Sequence, residues 1–300
     1  PRRFGKRVAG ETAFQAGRPL GGLDPAGFPG SGPSRERQLH ALAARCTGAR
    51  GPPGLTLRPA PPAPMLTGMN FRGRLLATLR AMEPVLEVPG ILVVGSEVPN
   101  LLEQDAASTL VVSQDVDLGI PIGSHGAAKD ALAKVRGLHP APEEPSVWLP
   151  DHEGLIEVNF LGIDPELGDP GEVWALDDPI LPLLVYGALS LLSAGPPVEV
   201  EGLRLPVPRP AGLLLEKLLT ARTAEKGDRD LLVALGLLTQ MDGAALAEAE
   251  ALCAGLQAEL RHAVRANLTL LTLIPGRLGM PDPTAGREMV ATLLARLEAL

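Results

Sequence analysis

The stretch Val112-Ser-Gln-Asp-Val-Asp-Leu-Gly119 constrains this chain most, because it sets two carboxylates two residues apart inside an apolar run. Side chains at i and i+2 of a strand project to the same face. A strand over Leu110–Ile120 therefore aims Asp115 and Asp117 together and sends Val116 and Leu118 into the opposite, apolar side. Two carboxylates held side by side repel and lose solvation unless a cation lies between them. Oxygen donors of this kind suit Mg²⁺, which is commonly held by one or two carboxylates together with substrate phosphates.

The residues ahead of this strand have a complementary pattern. Ile91 to Val94 reads as a short buried strand, Gly95-Ser96 as a turn, and Val98–Ala107 as a short helix. Gly95 permits close backbone approach, and the Ser96 hydroxyl with the following amides can grip a phosphate at a helix start. Phe71, Leu75, Leu76, Leu79 and Met82 recur at helical spacing, Ala127–Gly137 has helical composition, and Leu155–Leu161 is a further strand. This alternation predicts a mixed α/β (α+β) class, a small mixed sheet with helices packed on it.

Beyond the Pro/Gly-rich stretch 162–171 the character changes. Val198–Val207 reads as a two-strand ribbon turning at Glu201-Gly202. The rest reads as helices over Asp178–Ser193, Pro210–Thr223, Asp228–Met241, Ala244–Ala266 and Thr284–Ala299. The expected organisation is an α/β domain over 69–172 and a mostly helical domain over 173–300. Residues 1–68 contain Pro-Gly-Ser-Gly-Pro and Pro-Ala-Pro-Pro-Ala-Pro and little periodicity, so they are expected to be disordered. With no initiating Met, and with Met65 and Met69 just ahead of the first good helix, a non-native extension is a further expectation for this segment.

Charge narrows the function classes. Residues 1–68 carry ten Lys/Arg against three acidic residues, while the whole chain has a net charge of −8, so the body is acidic. An acidic body does not attract phosphate backbones non-specifically. Cys46 and Cys253 have neither a disulfide framework nor metal-thiolate spacing, which predicts no disulfide-linked partner. The longest apolar run, Ile180 to Leu192, is interrupted by Pro182 and falls short of the ~20 residues that span a bilayer. A soluble cytoplasmic protein without a membrane partner is expected.

The strand-Gly-Ser-helix unit followed by Asp-Val-Asp resembles the nucleotidyltransferase superfamily related to DNA polymerase beta. Its signature is apolar-Gly-[Gly/Ser], a gap, then Asp-x-[Asp/Glu] on a strand. The likeness spans roughly Met69–Met241 and extends to small bacterial members, including abortive-infection type nucleotidyltransferase toxins. It implies Mg²⁺-dependent transfer of a nucleoside monophosphate from a nucleoside triphosphate to an acceptor hydroxyl, with Asp115 and Asp117 as metal ligands of a two-metal site. It implies Gly95 and Ser96 in nucleotide binding. It also implies a third carboxylate on a neighbouring strand, for which Glu157 is the candidate, as metal ligand or general base, with Asp151 and Glu153 as runners-up.

A second stretch, Val207-Pro-Arg-Pro-Ala-Gly-Leu-Leu-Leu-Glu-Lys-Leu-Leu219 with Arg222, Lys226 and Asp230, resembles the helix on which such proteins carry a phosphate-contacting lysine. By that likeness Lys217 contacts the triphosphate, supported by Arg222 or Lys226. Physically, a lysine among Leu213, Leu214, Leu218 and Leu219 is either a snorkelling edge residue or a cation aimed at a cleft. Two features depart from the pattern: the long gap from Ser96 to Asp115, and Gly227 where some relatives carry an acid, with Asp228 one place on. They sustain a second reading, a catalytically degenerate nucleotide-binding or interaction protein of the same fold. The acceptor is left open between RNA, protein and small molecule; a tRNA acceptor would suit the toxin half of a two-gene system.

Overall fold

The computed structural model describes residues 71–102, 115–219, 225–273 and 283–298, all within one structural unit. The disorder or extension expected over 1–68, the first residues of the Leu110–Ile120 strand, the end of the Val98–Ala107 helix, Cys46 and Arg222 lie outside the described residues.

The element order begins α1 (Phe71–Ala81), α2 (Glu83–Leu86), β1 (Leu92–Val93), α3 (Val98–Leu102), β2 (Asp115–Pro121) and α4 (His125–Leu132). It continues through β3 (Leu138–Pro140), β4 (Val147–Pro150), β5 (Glu157–Ile163), β6 (Val173–Leu176) and β7 (Leu183–Tyr186). A ribbon of β8 (Val198–Val200) and β9 (Leu203–Leu205) precedes α5 (Pro210–Leu219), α6 (Glu225–Leu238), α7 (Gly243–Ala254), α8 (Ala258–Leu273) and α9 (Pro283–Glu298). The protein is thus a mixed α+β structure with a mixed sheet, as its periodicity predicts.

β2 and β5 form the spine of the sheet. They run parallel over seven paired positions, from Asp115 opposite Glu157 to Pro121 opposite Ile163. β1 pairs antiparallel with β2 on one side. On the other side of β5 the sheet forks. The first part of β5 pairs antiparallel with β4, which leads to β3, and the later part pairs parallel with β7, which leads to β6. One face is closed: Val116, Leu118, Ile120, Val158 and Phe160 are all at most 1% exposed. Asp115, Asp117, Glu157 and Asn159 alternate with them on the other face and stay half-buried.

Several expectations are corrected. The helix expected over Asp178–Ser193 is instead strand β7 followed by a 3₁₀ turn, Gly187–Leu191. Pro182 blocks a helix there, and an apolar run of this length cannot be assigned from periodicity alone. Because β6 and β7 belong to the sheet, the sheet crosses the domain border expected at residue 172. Strands β3 and β4 have no counterpart among the expected elements; both are short and end in proline, Pro140 and Pro150. The single helix expected over Ala244–Ala266 is two, broken at Gly255–Gln257, with Asp242 capping α7 by accepting from the Ala245 amide at 2.8 Å. The Glu201-Gly202 turn is observed, with φ of 48° and 81°, the left-handed pair that a two-residue hairpin requires.

One buried polar contact fixes α1 against the spine. The Thr78 hydroxyl donates to Arg74 O at 2.9 Å and accepts from the Ile156 amide, also at 2.9 Å, immediately before β5. Thr78 is fully buried. Thr78→Val keeps the shape but orphans a buried amide, a loss of about 1–3 kcal/mol. Urea denaturation should show a midpoint lowered accordingly; an unchanged midpoint would remove this contact from the supports of the fold.

Candidate functional site

The end of β1 and the starts of β2 and β5 meet at one end of the sheet. Val94 N donates to Asp117 O at 2.9 Å, so the Gly95-Ser96 turn emerges directly beside Asp117. Parallel pairing sets Asp115 beside Glu157 and Asp117 beside Asn159. The expected group of Gly95, Ser96, Asp115, Asp117 and Glu157 is therefore assembled from three strands. Asn159 ties it together: its side-chain amide donates to Asp115 Oδ2 at 2.8 Å and to Asp117 Oδ1 at 3.2 Å. A neutral amide with two N–H donors thus sits between two like-charged acceptors and offsets part of their repulsion.

Sequence reasoning missed Glu97. It follows the Gly-Ser turn, is 1% exposed, and leaves Oε2 buried with no hydrogen-bond partner among the described residues. Its other oxygen accepts from the Ser96 hydroxyl at 3.0 Å. Burial, and next the charge of Asp117, push the Glu97 carboxyl up to about 8. A signal for it exists in the sequence: Glu97 is the lone charge between Ile91 and Leu102, where an uncompensated charge demands an explanation.

Glu97 also explains the glycine. A Cβ on Gly95 would run into Glu97 Oε2 and would lie 2.9 Å from Asp117 Oδ2. Gly95 thus makes room for two carboxylates rather than only for a close backbone approach. α3, which carries the turn's far side, is held from two directions. Arg72 on α1 donates to Asn100 O at 3.0 Å, and Gln240, just past α6, donates to Pro99 O at 3.2 Å.

Glu157 lies half-buried at the mouth of β5. Burial raises its pKa, and the charges of Asp115, Glu144 and Asp117 raise it further. The runners-up are engaged or exposed elsewhere: Asp151 pairs with His139 at 2.6 Å, and Glu153 is exposed in the turn before β5. His125 starts α4 and its ring bonds Leu181 O at 2.8 Å, a structural tether.

Lys217 is buried on α5, its ammonium 2.9 Å from Glu216 Oε2, which decides against the snorkelling alternative. Asp230 on α6 is buried as well, whereas the side chains of Lys226 and Asp228 lie outside the described residues. Cys253 is a free buried thiol, its pKa raised by burial.

Neither a family model nor a curated protein matches this chain. One solved structure, the crystal structure of JHP933 from Helicobacter pylori, is similar over 75% of this chain and 93% of its own, at 12% identity and a TM-score of 0.30. A likeness that distant carries no argument about fold or function.

Among the described residues no three His, Cys, Asp or Glu side chains form a ready-made ligand set, and no helix is long and apolar enough to cross a membrane. Two cavities, of 340 and 500 Å³, lie away from the carboxylates. Leu191, Leu252 and Leu260 are among the residues lining the first; Glu87, Leu92 and Arg204 are among those lining the second. We place the candidate site at the carboxylates, because convergent charge and an orphaned buried oxygen demand a compensating partner, whereas volume alone does not.

The Glu97 carboxyl gives the fold a pH dependence. It keeps its proton up to about pH 8 when folded and only to 4.5 when unfolded. Below pH 4.5 both states hold the proton and no penalty arises. Between the two values unfolding releases a proton, so stability falls as pH rises and levels off above about 8. In EDTA, Glu97→Gln should raise the urea midpoint at about pH 9 and leave it nearly unchanged at about pH 4.5. Equal shifts at both pH values would show that Glu97 is not titrating as described.

Proposed function

We propose that this chain is a Mg²⁺-dependent nucleotidyltransferase that moves a nucleoside monophosphate from a nucleoside triphosphate to an acceptor hydroxyl. The observation that carries this reading is the assembly of Asp115, Asp117 and Glu157 on one sheet face beside a Gly95-Ser96 turn. The resemblance of those residues to the polymerase-beta-related superfamily supplies the reaction class. An all-oxygen donor set containing Glu97 Oε2, buried without a hydrogen-bond partner among the described residues, fits a hard divalent cation. Asp115 and Asp117 would hold it, with Glu157 in reach as a further ligand.

When bound, Mg²⁺ supplies charge neutralisation at the phosphoryl oxygens and at the leaving group. The remaining work falls to the chain. The acceptor oxygen attacks the α-phosphorus, the bond to pyrophosphate breaks, and the hydroxyl proton needs a base. Glu157 suits that role. It is half-buried at the open end of β5, and its pKa is raised by burial and by its acidic neighbours, so it takes a proton more readily than an ordinary carboxylate. Gly95 and Ser96 border the position where phosphates would lie. Ser96 now donates to Glu97 and would have to exchange that bond for one to phosphate. Lys217 would contribute to triphosphate binding by releasing Glu216.

The specific observation favouring the second reading is the Asn159 bridge, which already satisfies one oxygen of each aspartate without a cation. On that reading the chain binds a nucleotide or a partner and does not turn over.

The two readings separate in one assay. Protein is incubated with each α-³²P nucleoside triphosphate, Mg²⁺ and cell extract, and label is sought on RNA, protein and small-molecule fractions. Transfer should fall by about 10²-fold or more in Asp117→Asn with the fold intact by circular dichroism. Undiminished transfer by that variant would end the catalytic assignment, and metal-dependent nucleotide binding without any transfer would favour the non-catalytic reading.

A further inference from the structure

The two carboxylate oxygens of Asp117 face different groups. Its Oδ1 accepts from the Asn159 amide at 3.2 Å. Its Oδ2 faces the space beside Gly95, where a Cβ would come within 2.9 Å of it and would also run into Glu97 Oε2. The Asp117 and Glu97 oxygens therefore both crowd the same side of Gly95, a side that only a glycine leaves open. Glu97 is 1% exposed, and Oε2 has no hydrogen-bond partner among the described residues. Ser96 holds the other oxygen at 3.0 Å, which fixes the orientation of the carboxylate. Once ionised, a buried carboxylate beside a second carboxylate requires a compensating positive charge, which a metal ion supplies in place of the proton. The amide of Asn159 moderates the repulsion between Asp115 and Asp117, but Glu97 Oε2 accepts no hydrogen bond from it.

We propose that Glu97 and Asp117 form a seat for a divalent cation beside Gly95, on the side of Asp117 away from Asn159. Glu97 thereby becomes a ligand that the Asp-x-Asp pattern does not contain. The seat belongs to the same cluster as the transfer site, but its existence does not depend on the transfer reaction. Hard oxygen donors select Mg²⁺ or Mn²⁺ over thiophilic ions. The missing Cβ at 95 is a requirement of the seat, because a methyl group there would push the Glu97 oxygen away and crowd that of Asp117.

The test is calorimetric titration of the full chain with MgCl₂ and with MnCl₂, without nucleotide, so that binding is read apart from activity. Wild type should bind, and Glu97→Gln, which preserves shape, should weaken binding by about tenfold or more, as Asp117→Asn should. Glu153→Gln, an exposed carboxylate outside the cluster, should leave the affinity unchanged. Gly95→Ala provides a second route to the same result, since its methyl displaces the Glu97 oxygen while both acidic residues remain in the chain. Circular dichroism and a urea transition establish that each variant is folded. Wild-type affinity in folded Glu97→Gln, or no divalent binding by wild type, overturns the proposal. A chain that transfers label yet binds metal independently of Glu97 retains its catalytic reading and loses this seat; one that binds metal through Glu97 and transfers nothing does the reverse.

Discussion

The parallel register between β2 and β5 is the constraint on which everything else rests. Val116, Leu118, Ile120, Val158 and Phe160 all close onto one face and are at most 1% exposed. At roughly 1.5–3 kcal/mol for each buried side chain, their combined contribution is on the order of 10 kcal/mol. A one-residue slip of either strand would turn its own apolar set outward, so the register is effectively fixed. Once it is fixed, Asp115, Asp117 and Glu157 must share the opposite face whatever their repulsion. Two like unit charges about 4 Å apart at an effective dielectric near 20 repel by about 4 kcal/mol, less than the apolar face contributes. The apolar face wins, and the electrostatic strain is left at the sheet's end, where a cation or a donor can relieve it.

The turn after β1 concentrates the same strain. Val94 N to Asp117 O anchors the turn, and α3 is gripped by Arg72 and Gln240. With both ends of the turn held, the Glu97 side chain is enclosed, 1% exposed. Burial therefore acts on it in full, which is why its carboxyl is pushed up to about 8 and why Gly95 has no room for a side chain.

How much is legible in the sequence follows from which interactions are local. Alternation of apolar and acidic residues is local, and it reveals β2, β5 and the polar side of each; that the two strands adjoin is implied only by the resemblance, and their pairing is tertiary. The Glu201-Gly202 turn is readable because only a left-handed pair closes so short a ribbon. The Asp178–Ser193 segment is not, because Leu183–Tyr186 is apolar in either conformation and becomes a strand only by pairing with β5 and β6. β3 and β4 are too short to carry a period of their own. Glu97 is visible as a misplaced charge, but its meaning requires knowing that the turn lands beside Asp117, which is a tertiary fact. The burial of Lys217 is equally tertiary: its leucine neighbours fit both a snorkelling chain and an enclosed one.

Asn159 shows how the cluster stays folded despite its charge. An aspartate at that position would add a further carboxylate to the face, and an aliphatic residue would leave Asp115 and Asp117 facing each other undamped. The amide instead donates to both, holding them at a fixed separation. Hydrogen bonds to charged acceptors contribute about 1.5–3 kcal/mol each, enough to offset much of the repulsion between the pair. That compensation extends only to the oxygens the amide touches. On its far side Asp117 meets Glu97, whose bond from the Ser96 hydroxyl goes to the opposite oxygen. Asp117 is thus the pivot of the site, with the Asn159 amide bonded to one oxygen and the Glu97 carboxyl near the other, which brings the electrostatic demand to the side of Gly95.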